Sequence, residues 1–280
     1  MRVLETVGSS TTNSLGVLAG CCVAVTRATR QAGPLIAGIE QLGGRVFLFP
    51  TLLIEQVTDA GVEAKLASFS NAHMLIFVSP NAVLHGLSLT RARADWPKLA
   101  TIAAVGCSTA TILEEQRLRV DLVPELGSGA AALLELQAFQ GADIVGRRVF
   151  IFKGRGGLAL LADELALRGA VVEEVDVYER HVPEVDPGPF LATARGGGID
   201  VIVITSAQAL VNLFEMVGIA GRQWLCHAEL VVVSERIADV ALDLGTVRRP
   251  SVAKGATLRH VLSELTRWKE SKHDGQEGPH

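Results

Sequence analysis

Six places along the chain put small or polar residues between an apolar run and a helical pattern. They are Thr26-Arg27, Ser79-Pro80-Asn81, Gly106-Cys107-Ser108-Thr109, Lys153-Gly154-Arg155, Thr205-Ser206 and Ser234. Ser, Thr and Asn are good helix N-caps, so each place alone reads as a cap. Together they read as one edge. In open α/β sheets, ligands bind beyond the carboxyl ends of the strands. Helix N-termini there offer free N–H groups and partial positive charge, which suits carboxylates or phosphates. Tyr178, the single tyrosine, has two readings: a ring packed in a strand with its hydroxyl at a cleft rim, or a hydroxyl donor aimed into the cleft.

Other constellations fail on spacing. Gly154-Arg-Gly156-Gly-Leu-Ala159 fits G-x-G-x-x-A, and Glu174 lies where a ribose-binding acid would sit. The matching loop Thr26–Arg30 lacks glycine, and Glu174 falls inside a strand pattern. The glycines are therefore assigned to close packing of a helix on its strand, and a nucleotide-dependent oxidoreductase becomes a minor reading. Ser79 is not in a G-x-S-x-G elbow, and His85 and His181 read as surface residues. The four cysteines form no C-x-x-C pair and the seven histidines show no ligand spacing, so no metal is expected.

The elements that must position these residues are written twice. Met74-Leu-Ile-Phe-Val-Ser79-Pro-Asn-Ala82 parallels Val201-Ile-Val-Ile-Thr-Ser206-Ala-Gln-Ala209. Ala103-Ala-Val-Gly106 parallels Val231-Val-Val-Ser234. Val149-Phe-Ile-Phe-Lys153, with a helix ending at Gly169, parallels Val23-Ala-Val-Thr26, with a helix ending at Gly43. The element matching 149 comes first in the chain, so one copy is built from both chain ends.

The expected fold is α/β: two similar three-layer α/β/α domains with parallel sheets, joined by a two-stranded β connector, with a cleft between them. The outer domain is residues 21–44 with 184–268, and the inner one is 53–170. Segments 45–52 and 171–183 are expected to pair as the connector. Residues 1–20 and 269–280 are expected to be loose. Inner strands are expected near 74–78, 101–105, 120–123 and 149–152, and outer ones near 200–205, 229–233 and 246–248.

Composition narrows the classes. Hydrophobic residues make up 49% and aromatics 5%, as packed aliphatic α/β layers require. A net charge of −4, without basic runs, argues against nucleic acid. No apolar run approaches the ~20 residues that span a bilayer. Leu18-Ala-Gly-Cys21 looks like a lipoprotein box, but Gly8–Ser14 is polar where an apolar core is needed. The cysteines read as reduced thiols of a cytoplasmic protein.

In order and spacing the motifs resemble uroporphyrinogen-III synthases. The resemblance rests on Val25-Thr-Arg27, Phe77-Val-Ser-Pro-Asn-Ala-Val83, Ala104-Val-Gly106 with Thr109-Ala110, Val177-Tyr178-Glu-Arg180 after Gly169, and Ile204-Thr-Ser206-x-x-Ala209. It spans residues 22–267. It implies a cofactor-free closure of hydroxymethylbilane to uroporphyrinogen III, with loss of water and inversion of ring D. It implies that Tyr178 assists departure of the hydroxyl. It implies that Thr109 lies near the tetrapyrrole. Ser234-Glu-Arg-Ile237 departs from the family's small, Thr-rich turn, and Glu235 faces an anionic substrate awkwardly. The polycarboxylate substrate is expected to be held at Thr26, Arg27, Ser79, Pro80, Asn81, Gly106, Thr109, Lys153, Arg155, Thr205, Ser206 and Ser234, by a monomer. The alternative is a non-catalytic two-domain protein that binds or senses a small molecule or tetrapyrrole. A fused DNA-binding or receiver segment would mark it, and the lead and tail are too short to hold one.

Overall fold

The computed structural model describes residues 16–157 and 159–274. The chain divides into two compact units. One comprises the chain up to Leu53 and from Val182 onward, and the other comprises Ile54–His181.

In the first unit, β1 (Cys22–Val25) leads through α1 (Thr29–Gln41) to β2 (Arg45–Leu48). In the second, β3 (Leu53–Gln56) and α2 (Ala60–Leu66) precede β4 (Met74–Phe77), α3 (Pro80–Thr90), β5 (Thr101–Ala104) and α4 (Cys107–Glu115). The short helices α5 (Ala130–Leu134) and α6 (Gly141–Ile144) follow, then β6 (Arg148–Gly154), α7 (Leu160–Leu167) and β7 (Val171–His181). The first unit resumes with α8 (Gly188–Arg195), β8 (Val201–Ile204), α9 (Ala207–His227), β9 (Leu230–Val232), α10 (Glu235–Asp243), β10 (Ser251–Val252) and α11 (Leu258–Asp274).

The sheet orders are β10-β9-β8-β1-β2 and β3-β7-β6-β4-β5. Pairing is parallel throughout the first sheet, and among β5, β4, β6 and β7 in the second. Superposing the matched sequence pairs gives the same order twice: β9-β8-β1-β2 corresponds to β5-β4-β6-β7. The duplication read from the sequence is therefore a duplication of topology. The central strands CVAV, MLIF and VIVI are buried along their whole length, as strands covered on both faces are. In the second sheet alternate residues feed two cores. Phe77, Phe150 and Phe152 enter one, and Ile76, Val149 and Ile151 enter the other.

The matched helices α1 and α7 end identically. Gly43 (φ +83°) and Gly169 (φ +90°) take the left-handed conformation that favours glycine. The next N–H turns back to the helix, Gly44 to Ile39 O at 3.0 Å and Ala170 to Leu165 O at 3.0 Å. Each chain then returns as a parallel strand beside its parent, β2 on β1 and β7 on β6.

That equivalence corrects the expected connector. Segment 45–52 does not pair with 171–183, because its strand and β7 hold the same place in different sheets. The neighbour of β7 is β3, and Val57 N–H donates to Val177 O at 3.1 Å. Three smaller expectations also change. Residues 120–123 make only a bridge, Ala103 to Leu122. The last outer strand lies at 251–252 and not 246–248, because Gly245 ends α10 and a loop follows. Residues 16–20 are anchored at two points: Leu18 is fully buried, and a Cβ on Gly16 would lie 2.2 Å from Leu42 O. Helix α11 continues through 269–274, with Lys272 Nζ 2.6 Å from Glu229 Oε1. The remaining parts of the expected loose ends, 1–15 and 275–280, lie outside the described residues.

Candidate active site

Strand order in the second unit changes direction between β4 and β6, so the carboxyl ends of these two strands flank a crevice. A cavity of about 220 Å³ opens there. Ser79, Lys153, Gly154, Glu174, Tyr178 and Arg180 supply its polar and glycine lining. Gly129 and Ala130 close one side, drawn in by a hydrogen bond from Gly129 N–H to Val105 O at 2.8 Å.

Tyr178 enters by a β-bulge. Lys153 pairs with Asp176, but Gly154 pairs with Tyr178, so β7 carries one extra residue. Alternation breaks there, and Val177 and Tyr178 are both buried. Tyr178 is 1% exposed, so it is not a rim residue. Its hydroxyl accepts a hydrogen bond from Arg180 Nη2 at 2.7 Å and lies 3.2 Å from Ser79 Oγ. The Arg180 guanidinium carbon is 5.1 Å from the ring centroid. His85, expected at the surface, places its ring 5.8 Å from that of Tyr178.

Ser79 does what its sequence context requires. It is extended (φ −167°, ψ 162°), and its Oγ accepts the Ala82 N–H at 3.1 Å as the N-cap of α3. Pro80 occupies the first turn, where its missing N–H costs no hydrogen bond, and Asn81 is half-buried beside it. Gly106 caps α4, and Thr109 is buried in the first turn of that helix.

The two expected cations of this unit are already partnered. Lys153, mostly buried, is paired with Glu174. Arg155 bonds Asp59 and, at 3.1 Å, Glu179. Asp59 also accepts the Val62 N–H at the start of α2. That bond first, and Arg155 second, hold its carboxyl below the usual range.

The first unit repeats the frame with other chemistry. Ser206 caps α9 as Ser79 caps α3, accepting the Ala209 N–H at 3.1 Å. Thr26 is fully buried, and its hydroxyl donates to Val203 O at 2.9 Å. It ties β1 to β8. Arg27 follows at the carboxyl end of β1, beside the point where this sheet changes direction. It has no hydrogen-bond or ion-pair partner among the described residues, and burial pushes its pKa down. Thr205 is half-buried. Ser234 caps α10 without a side-chain bond. Glu235 is met by Arg249 Nη2 at 2.7 Å, which also bonds Asp239 at 2.9 Å. Its charge is thus answered locally.

Sequence reasoning passed over Arg180 as a pocket residue and weighed Glu174 only as a ribose-binding acid, whereas both line this cavity. Even spacing along one strand was the available signal, since residues two apart share a face. The bulge hid it. The pocket assembles two hydroxyls and a guanidinium around one crevice. Among the described residues no group of His, Cys, Asp or Glu could hold a metal ion.

The family model of uroporphyrinogen-III synthase HemD matches residues 33–263. Uroporphyrinogen-III synthase of Escherichia coli is 29% identical over 231 residues, covering 80% of this chain and 91% of that protein. The putative uroporphyrinogen-III synthase of Methanothermobacter thermautotrophicus is 30% identical, covering 81% and 87%. A crystal structure of a mutant uroporphyrinogen III synthase from Thermus thermophilus aligns with a TM-score of 0.60 at 21% identity, covering 91% of this chain and 99% of that one.

Proposed function

The chain belongs to the uroporphyrinogen-III synthase family, and we infer from that premise that the Tyr178 pocket is where its substrate loses a hydroxyl. The protein is a lyase of haem biosynthesis. It cyclises hydroxymethylbilane to uroporphyrinogen III with loss of water. The observation that carries our reading of the site is the buried Tyr178 hydroxyl, held by Arg180 and Ser79 at a cavity wall. A phenol O–H can supply a proton for a departing hydroxyl.

The substrate is a flexible polycarboxylate, and its unassisted closure gives the uninverted isomer. Geometry is therefore the larger task, and fixing reacting groups removes the entropy of the search. We assign carboxylate binding to Arg27 and to the N–H groups at the starts of α3, α4, α9 and α10. Pro80, Asn81, Gly106, Thr109, Thr205, Ser206 and Ser234 shape those turns. Lys153 and Arg155 take part by exchanging their present carboxylate partners. The protein acts as a monomer on this small molecule without a cofactor. Its free cysteines suit the cytoplasm, and no helix among the described residues is long and apolar enough to cross a membrane.

Chromatographic separation of the isomers made from hydroxymethylbilane tests the reading. Type III product without added metal or cofactor is expected. A type I ratio equal to the enzyme-free control, from folded protein, overturns it.

A further inference from the structure

Hydrogen bonding around Tyr178 has a direction. A guanidinium only donates, so the 2.7 Å contact makes Arg180 the donor and the Tyr178 oxygen the acceptor. The single phenolic proton can then be donated to Ser79 Oγ at 3.2 Å, a contact in which either hydroxyl could be the donor. Ser79 Oγ also receives the Ala82 N–H at 3.1 Å. With both lone pairs of Ser79 engaged, its own proton is left to point into the cavity that both hydroxyls line. Tyr178 is 1% exposed while Ser79 is only half-buried, so the serine is the better-placed group to meet a ligand.

We propose that Ser79 is the proton donor to the departing hydroxyl, with Tyr178 behind it as the proton source and Arg180 as the positioning residue that sets the relay's direction. This rests on the synthase reading above. As the C–O bond breaks, its electron pair leaves with oxygen. Ser79 Oγ–H protonates that oxygen, and water departs. Tyr178 passes its proton to Ser79, and the resulting phenolate faces the guanidinium. The pyrrole nitrogen's electron pair stabilises the carbon left behind. That carbon bonds the substituted α-carbon of ring D, the bond from there to its old methylene bridge breaks, and the freed bridge carbon bonds ring D's open α-carbon, which loses its one proton as aromaticity returns. That proton goes back through Ser79 to Tyr178, so the net products are the macrocycle and one water.

The first unit lacks this device although it repeats the frame. Ser206 caps α9 in the same way, but the element reaching α9 there is Thr51, whose hydroxyl donates to Ala209 O at 2.9 Å. No tyrosine is available, since Tyr178 is the only one in the chain. The two equivalent serines thus differ in what stands behind them.

The test separates capping from proton donation. Ser79→Asn keeps a good N-cap, but its amide cannot pass on a proton. Its kcat for type III product is expected to fall by roughly 10²-fold or more, as is that of Tyr178→Phe. The double variant is expected to fall no further than the worse single, because members of one relay are not additive. Ser79→Thr, which keeps both cap and proton, is expected to recover most of the rate. Arg180→Met is expected to lower kcat by about tenfold, the loss of one charged hydrogen bond, with Arg180→Lys recovering it. A solvent-isotope proton inventory should be curved for the wild type and linear for Tyr178→Phe. Wild-type kcat in Ser79→Asn, or losses that multiply in the double variant, would overturn the relay. A raised KM with unchanged kcat in Arg180→Met would remove Arg180 from it. In those outcomes the wild type still makes type III product, so the synthase reading stands or falls separately.

Discussion

A Cβ on Gly154 would lie 2.6 Å from Cζ and 2.9 Å from the hydroxyl of Tyr178. The glycine of a strand end and the tyrosine of the next strand therefore occupy one space. The bulge that pairs them turns the phenol inward, and the missing side chain gives it room. The Gly-rich turn after β6 looked like a device for packing a helix on its strand. Its first glycine serves the tyrosine instead.

Gly154→Ala is accordingly expected to displace the Tyr178 ring. Overpacking of this kind costs about 1–3 kcal/mol. The hydroxyl would leave Arg180 and Ser79, so turnover should fall more than stability does. Urea unfolding and steady-state kinetics on one preparation check both. Full kcat in a folded Gly154→Ala protein would show that the site tolerates a shifted ring.

Tyr178→Phe removes one oxygen and leaves the ring in its core. Two neutral or charge-assisted hydrogen bonds are lost, each worth about 1 kcal/mol or somewhat more. The fold should persist, product should still bind, and turnover should drop by roughly 10²–10⁴. Calorimetric product binding beside a rate assay decides. Near wild-type turnover with an unchanged isomer ratio would reduce Tyr178 to a packing residue.

Arg27 gives an opposite pairing of effects. A mostly buried cation with no partner among the described residues contributes little to stability, and replacing it with an apolar chain of similar length is often neutral or stabilising. Arg27→Met should therefore melt no lower than the wild type. If Arg27 receives a substrate carboxylate, the same change should raise KM about tenfold, as loss of a charged hydrogen bond does. A lowered melting point with unchanged KM would assign Arg27 to structure.

Asp59 sets a pH dependence. Its carboxyl is held below the usual range by the Val62 N–H and then by Arg155. A depressed folded pKa means that its stabilising contribution is complete above the unfolded value of about 3.9 and is lost as pH falls through the folded one. The stability difference between wild type and Asp59→Ala should thus be flat from about pH 5 to 8 and shrink below about pH 4. Urea titrations at several pH values measure it. A difference that widens on acidification would contradict the assignment.

Local and periodic features were legible in the residues themselves. Apolar runs located the central strands of both sheets, and Gly43 and Gly169 marked where the matched helices stop. The order of the three matched pairs was enough to infer a duplicated topology with one copy made from both chain ends. Ser79 and Ser206 were readable as caps, because a cap bonds an N–H three residues on. Every one of these signals acts within about two helical turns or one strand.

What the tertiary structure decided acts between residues far apart in the chain. Strand 45–48 reads like a connector until its parent strand is known, and only pairing with β1 assigns it to the first sheet. Lys153 and Arg155 read as residues for the substrate's carboxylates, and folding brings Glu174 and Asp59 to them across 21 and 96 residues. Arg27 looks no different in the sequence, yet among the described residues no carboxylate comes to it. The bulge at Gly154 arises from a register slip of one residue, which no periodicity encodes because it breaks the periodicity. That slip moves Tyr178 from an expected rim position into the wall of the cavity and carries Arg180 to its oxygen. Helix caps and apolar runs are set by neighbours along the chain. Register and charge pairing are set by which strands pack side by side, and that is fixed only when the sheet closes.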